Sequence, residues 1–357
     1  HAPFGGNVVG IDGAAWRYFG VQPHQLSWAE SATLAVLPNA PSLIYPGKNQ
    51  QKLLDKRNRL LKKLLDNGII DDLMYELSLQ EALPQKPYPL PQMAPHLLQR
   101  IAKSHKGERI KTSIDYNLQQ SVNGLVKLHH DVQKQNEIHN MAVLVLDVKT
   151  RKVLSYVGNA PTTKAHQKDV DVITAPRSTG SVLKPLLYMA MLNEGEMLPN
   201  TLVADVPTTI ADYEPKNFSL QYSGAVPAKK ALAKSLNIPA VRMLHKYGLS
   251  RFYDELQQFN FKHINKGVDH YGLSLILGGA ESSLWDLCEA YAGLSGTINH
   301  YTESSSEYYT NEFAGLSYFN DYEVALGALS KEKTIFDFIV HDLHTFLTYC
   351  CGDNITV

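Results

Sequence analysis

The sequence predicts an α+β fold in which helices pack on an antiparallel sheet, preceded by an all-helical segment. Three observations carry that expectation. Leucines recur at helical spacing early in the chain, a proline-dense stretch follows them, and two β-branched apolar runs then lead into successive helical patterns.

Residues 1–84 read as helical. In "SWAESATLAVLPNAPSLIYP", Ser27 stands as an N-cap with Glu30 three residues later, the spacing of a capping box. A second helix, "QKLLDKRNRLLKKLLDNGIID", gathers Leu53, Leu54, Leu60, Leu61, Leu64 and Leu65 on one side and ends at Gly68. Its other face carries Lys52, Lys56, Arg57, Arg59, Lys62 and Lys63, which reads as a solvated outer face, with contact to anionic lipid or pyrophosphate as the alternative. Prolines at 84, 87, 89, 91 and 95 fix φ and remove backbone donors, so "LPQKPYPLPQMAPH" is expected to be an extended connector with a domain boundary near residue 85. "MAVLVLDV" (141–148) and "KVLSYVG" (152–158), split by the polar "KTR", read as a hairpin. The segments around Lys184, "AKKALAKSLNIPAVRMLHKYG" and "SSLWDLCEAYAGLSGT" read as helices.

With 357 residues, 44% of them hydrophobic, the chain can bury more than one sizeable core, and two domains are expected. A formal charge of −1 gives no global drive toward nucleic acid. No apolar run approaches the ~18 residues that span a bilayer, and no signal peptide is recognisable. The chain opens on "HAPFGG" without an initiator methionine, which reads as a fragment or a processed product. Three cysteines, Cys288 and the adjacent Cys350 and Cys351, form neither a disulfide framework nor a zinc pattern, and the scattered histidines show no metal-ligand spacing. Neither a metal nor a cofactor is expected.

The stretch "RSTGSVLKPLLYMAML", residues 177–192, carries the chemistry. If a helix begins near Ser181, Lys184 lies one turn on along the same face, within reach of the serine hydroxyl. A helix N-terminus also favours a developing oxyanion. Burial among the apolar residues that follow would lower the lysine pKa and free an amine to act as base. Against this stands the plain reading, since serine is a common N-cap. Ser235-Leu236-Asn237 supplies a second hydroxyl and an amide, the groups a serine acyl-enzyme of the S-x-x-K class needs to move a proton and hold a substrate carbonyl. Asn-Ile-Pro there could equally end a helix.

Together these motifs resemble the class A penicillin-binding proteins, and within them the 1C type. "HAPFGGNVVGIDGAAWRYFG" and "LSWAESATLAVLPNAPSLIYPG" are similar to the closing part of a family 51 peptidoglycan glycosyltransferase domain. "TSIDYNLQQSV" is similar to the segment joining it to the transpeptidase, and "SLILGGAESSLWDLCEAYAGL" to the helix after S-x-N. The resemblance implies a penicillin-binding/β-lactamase-like transpeptidase domain behind a helical remnant of a lysozyme-like domain. The expected domains are 1–84 for the glycosyltransferase part, 85–140 for connector and linker, 141–331 for the transpeptidase and 332–357 for an unmatched tail. It implies Ser181 as the nucleophile acylated by a D-Ala-D-Ala stem peptide or a β-lactam, Lys184 as its base, Ser235 as proton relay and Asn237 as the residue that orients the acyl donor. It further implies a bifunctional wall synthase at the periplasmic face of the bacterial inner membrane, with stem peptides, lipid-linked precursor and β-lactams as partners, membrane association through a segment outside this chain, and no nucleic acid.

Two features depart from the family pattern. Its K-[ST]-G strand, which binds the substrate carboxylate and offers one oxyanion donor, has no counterpart: "KTI" at 333 lacks the glycine, and the tail reads as truncated or frame-shifted. The glycosyltransferase glutamates would lie ahead of residue 1, and Glu30 reads as a cap or surface residue. The competing readings are a disabled module that binds stem peptides or partners, and a D,D-peptidase or β-lactam hydrolase.

Overall fold

The computed structural model describes residues 2–305 and 307–330. The "KTI" at 333, Cys350, Cys351 and the tail from 332 lie outside the described residues. The chain forms two compact units, residues 1–92 and the chain from Met93 onward.

The first unit holds four helices, α1 (Ile11–Phe19), α2 (Trp28–Val36), α3 (Gln50–Asp66) and α4 (Asp72–Gln80). Helix α2 starts where the capping box places it: Ser27 Oγ accepts from the Glu30 amide at 3.1 Å, and a Glu30 carboxylate oxygen accepts from the Ser27 amide at 2.9 Å. Glu30 thus serves its own helix. Ala14, Ala15, Tyr18, Leu34, Leu37 and Leu53 form one core cluster, with Ala32, Leu61 and Ile70 in another. The basic face of α3 needs one correction. Arg57 is not solvated but 1% exposed, because its guanidinium donates to the carbonyls of Glu81 (2.6 Å) and Leu79 (3.3 Å), at and just after the end of α4. Those carbonyls belong to the set that a helix end leaves without internal donors.

The second unit begins with α5 (Pro95–Ala102) and α6 (Tyr116–Gln133), both within the stretch 85–140. The expected hairpin forms from β1 (Val143–Leu146) and β2 (Val153–Val157), paired antiparallel with Val143 opposite Val157. Its turn contains Arg151, which despite the polar look of "KTR" is 1% exposed and donates from Nη2 to the Glu312 carbonyl at 2.9 Å. Then follow β3 (Arg177–Ser178), α7 (Lys184–Asn193), β4 (Leu202–Asp205), β5 (Gly224–Pro227), α8 (Ala228–Ala233), α9 (Asn237–Tyr247), α10 (Leu249–Gln258), α11 (Val268–Tyr271), β6 (Glu281–Ser282), α12 (Leu284–Glu303), β7 (Tyr308–Tyr309) and β8 (Leu329–Ser330).

Among the described residues the strands make four two-stranded antiparallel sheets, β1-β2, β3-β6, β4-β5 and β7-β8, so the fold is helices with small antiparallel sheets. The largest core lies in the helical part. Every residue of α7 from Leu186 to Leu192 is buried, against Val241, Leu244, Phe252, Leu256, Leu275, Ile276, Ala290 and others. An all-round apolar helix is a central one, and α7 is the axis on which the site is built.

Arg57 yields a test of the first unit. Arg57→Met is expected to destabilise it by about 1–3 kcal/mol, because the Leu79 and Glu81 carbonyls lose their donors. Arg59→Met, at an exposed position of the same helix, should change it by less than ~0.5 kcal/mol. Hydrogen exchange of the α3 and α4 amides reads both.

Candidate active site

Helix α7 begins at Lys184, three residues later than the sequence suggests. Ser181 lies in the turn that leads into it, where the Lys184 amide donates to the Ser181 carbonyl at 3.1 Å. Leu183 offers no side-chain cap, and Pro185 in the first turn fits a position that needs no amide donor. Ser181 is exposed, and neither its hydroxyl nor its amide has a protein partner among the described residues. The hydroxyl and the N–H are both available to a reacting group.

The loop that bears Ser181 is held from two sides, by the segment 278–280 and by α12. The Thr179 amide donates to the Ala280 carbonyl at 3.0 Å, Ser178 Oγ donates to the Gly278 carbonyl at 2.8 Å, and Tyr291 Oη on α12 donates to the Val182 carbonyl at 2.8 Å. Gly278 has φ +101°, and a Cβ there would lie 2.8 Å from the Gly180 nitrogen and 2.9 Å from its Cα. Only glycine allows the two backbones so close. The "LGG" after S-x-N therefore seats the nucleophile loop, a role its sequence position does not announce.

Lys184 is 3% exposed, and its amine points at the S-x-N segment. Nζ donates to Asn237 Oδ1 at 2.7 Å, to the Ser235 carbonyl at 2.8 Å and to Ser235 Oγ at 3.2 Å. The structure thus gathers Lys184, Ser235 and Asn237 in one cluster, with Ser181 one helical turn ahead on the same segment. Burial pushes the Lys184 amine down from its ordinary 10.5 to about 8. No carboxylate pairs with it among the described residues to hold the proton on.

The S-x-N geometry comes from a break between two helices. Helix α8 closes with the Ser235 amide donating to the Leu232 carbonyl at 2.8 Å and the Leu236 amide to the Ala231 carbonyl at 2.9 Å, a Schellman turn. Ser235 takes the left-handed position of that turn, φ +51°, usually a glycine's place. Asn237 then opens α9 rather than ending a helix, and Pro239 falls in the new helix's first turn. Sequence reasoning missed Asn217, a buried loop residue that accepts from the Asn237 amide at 2.9 Å. No spacing in "EPKNFS" marks it.

Among the described residues no group of His, Cys, Asp and Glu side chains could hold a metal ion, and no helix is long and apolar enough to cross a membrane.

Folded-state stability should record the buried amine. Below about pH 8 folded and unfolded chains both carry the Lys184 proton, and the folded chain bears the cost of burying it; above 10.5 neither carries it. Between those limits the unfolded chain binds more protons, so stability rises with pH. Compared with Lys184→Met, the unsubstituted chain is expected to gain up to about 3 kcal/mol between pH 7.5 and 10.5, at 1.36 kcal/mol per pK unit. Urea midpoints of the two proteins across that range check it.

Known proteins resemble this chain in sequence and fold. A family model described as penicillin binding protein transpeptidase domain matches residues 141–279, and one described as transglycosylase matches residues 1–65. The chain is 34% identical over 295 residues to penicillin-binding protein 1C of Escherichia coli, covering 82% of this chain and 38% of that protein. It is 26% identical over 310 residues to penicillin-binding protein 1B of Haemophilus influenzae, covering 81% of this chain and 39% of the relative. Similarity to penicillin-binding protein 1F of Bacillus subtilis is 27% over 309 residues, covering 79% and 40%. The crystal structure of penicillin-binding protein 1A from Haemophilus influenzae superposes with a TM-score of 0.59 at 18% identity, over 83% of this chain and 60% of that one, a likeness of fold. The chain spans about two fifths of the length of these curated relatives.

Proposed function

The chain belongs to the class A penicillin-binding proteins, with a transglycosylase part followed by a transpeptidase part, and from that premise we propose that it is the acylating half of a serine D,D-transpeptidase in peptidoglycan cross-linking. The observation that carries the reading is the Lys184 amine, buried, depressed to about 8 and fixed by Ser235 and Asn237 one turn after an unencumbered serine. A lysine free to be neutral near pH 8 is what a hydroxyl nucleophile needs as base.

In this reading neutral Lys184 takes the Ser181 Oγ proton as the oxygen attacks the carbonyl of the penultimate D-Ala of a stem peptide. An Oγ–C bond forms, and the negative charge that develops on the carbonyl oxygen is met by the Ser181 amide. The C–N bond then breaks, the proton passes from Lys184 by way of Ser235 Oγ to the departing nitrogen, and Asn237 orients the donor's amide. D-Ala leaves, and the acyl-enzyme passes its chain to an acceptor amine. A β-lactam follows the same course until its ring opens, and the leaving nitrogen stays attached. The lipid-linked precursor is assigned to the glycosyltransferase part, and the site of action to the periplasmic face of the inner membrane, a reading that the resemblance to class A proteins supports. The domain division proposed is 1–84, 85–140, 141–331 and 332–357.

Incubation with a fluorescent penicillin, followed by a denaturing gel and mass mapping, tests the assignment. Label is expected on the peptide containing Ser181, abolished by Ser181→Ala and slowed about 10²-fold or more by Lys184→Ala. The labelling rate should climb with pH to a plateau, with a midpoint near 8. Label that persists in Ser181→Ala contradicts it.

A further inference from the structure

Beneath the S-x-N segment lies a buried carboxylate with no cation. Asp205, at the end of β4, is 0% exposed and forms no ion pair among the described residues. Its Oδ1 accepts from Asn217 Nδ2 at 2.7 Å, and its Oδ2 accepts from the Ser223 amide at 2.8 Å. Burying a carboxylate without a cation is costly, and the hydrogen bonds it receives have to offset that cost.

The arrangement it imposes runs to the active lysine. A carboxylate only accepts, so Asn217 must turn its Nδ2 toward Asp205 and its Oδ1 the other way. That Oδ1 faces the start of α9, where it accepts from the Asn237 amide at 2.9 Å and the Ile238 amide at 3.3 Å, two of the donors a helix N-terminus leaves open. The second Nδ2 hydrogen goes to the Gln221 carbonyl at 3.0 Å, which uses every donor and acceptor position of the amide. The residue before it, Lys216, accepts from Asn237 Nδ2 at 2.8 Å. Asn237 is therefore gripped at its backbone and at its side-chain nitrogen by two adjacent residues of one loop. Its Oδ1 is left facing Lys184 Nζ at 2.7 Å. Two amide orientations are set in series, from carboxylate to amine.

We propose that Asp205 and Asn217 are positioning residues for the acylation: a buried carboxylate–amide pair that fixes Asn237 and, through it, the Lys184 amine. The proposal rests on the reading of Lys184 as base. It predicts an effect on the base itself, which a loop that merely closes the β4-β5 sheet would not have. With Asn237 loosened, water reaches the amine and its pKa moves back toward 10.5.

The test is the rate and pH profile of fluorescent-penicillin labelling at Ser181, normalised to folded protein, in the whole chain. Asn217→Ala is expected to slow labelling at pH 8 by tenfold or more, to move the midpoint upward by at least half a pH unit, and to speed hydrogen exchange at the Asn237 and Ile238 amides. Asn217→Asp alone, which sets two carboxylates against each other, should be impaired as well. Adding Asp205→Asn to it restores the 205–217 bond with donor and acceptor exchanged, at the loss of the bond to the Gln221 carbonyl, so the double variant should recover part of the rate and move the midpoint back from that of Asn217→Asp. If Asn217→Ala does not fold, the exchanged pair against Asn217→Asp carries the same comparison. Lowered stability with unchanged rate and midpoint in Asn217→Ala, or no recovery in the exchanged pair, overturns the positioning role while leaving the Ser181 assignment standing. An unsubstituted chain that takes no label at Ser181 overturns both.

Discussion

The site depends on one constraint: an amine 3% exposed must find oxygen partners inside the protein. The structure supplies neutral oxygens and no carboxylate among the described residues, the Ser235 carbonyl and hydroxyl and the Asn237 amide oxygen, so burial of the charge is only partly offset and the amine loses its proton near pH 8. Such partners satisfy the N–H donors without holding the extra proton as a carboxylate would. The rest of the local architecture can be derived from that need. Helix α7 is apolar on all sides so that it can carry Lys184 into the interior. Helices α8 and α9 break at a Schellman turn that delivers Asn237 to the next helix, and Pro239, four residues after Ser235, has no N–H to claim the Ser235 carbonyl, which is left to Lys184.

That joint costs backbone strain. A serine at φ +51° is less favourable than glycine by about 1–2 kcal/mol, yet glycine would remove the hydroxyl. Two backbone bonds of the turn and a capped start to α9 offset the strain on either side. The Ser181 loop shows the complementary solution: Gly278, with φ +101°, packs against the Gly180 backbone so closely that no Cβ would fit there.

Much of this was legible where the physics is local. The capping box of Ser27 and Glu30 acts over three residues, and the β1-β2 hairpin over fifteen or so, and both form as the sequence indicates. The S-x-x-K spacing likewise brings Ser181 within a turn of Lys184, though a turn of backbone precedes the helix proper. What escaped the sequence depends on distant partners. Arg57 sits in a run of basic residues and looks solvated until the end of α4 arrives to accept from it. Arg151 looks like a hairpin turn residue until the Glu312 carbonyl, far along the chain, receives it. Asn217 lies in a polar loop with no periodicity, and its link to Asn237 appears only when β4 and β5 close behind it.

The titration of Lys184 itself is the most direct measurement. In protein grown with ¹³Cε-lysine, the resonance that disappears in Lys184→Met identifies this residue, and its shift can be followed from pH 6 to 11. A Lys184 midpoint near 8 is the predicted result. A Lys184 midpoint near the ordinary 10.5 would contradict the account, because the amine would then stay protonated at every pH where the serine is asked to react.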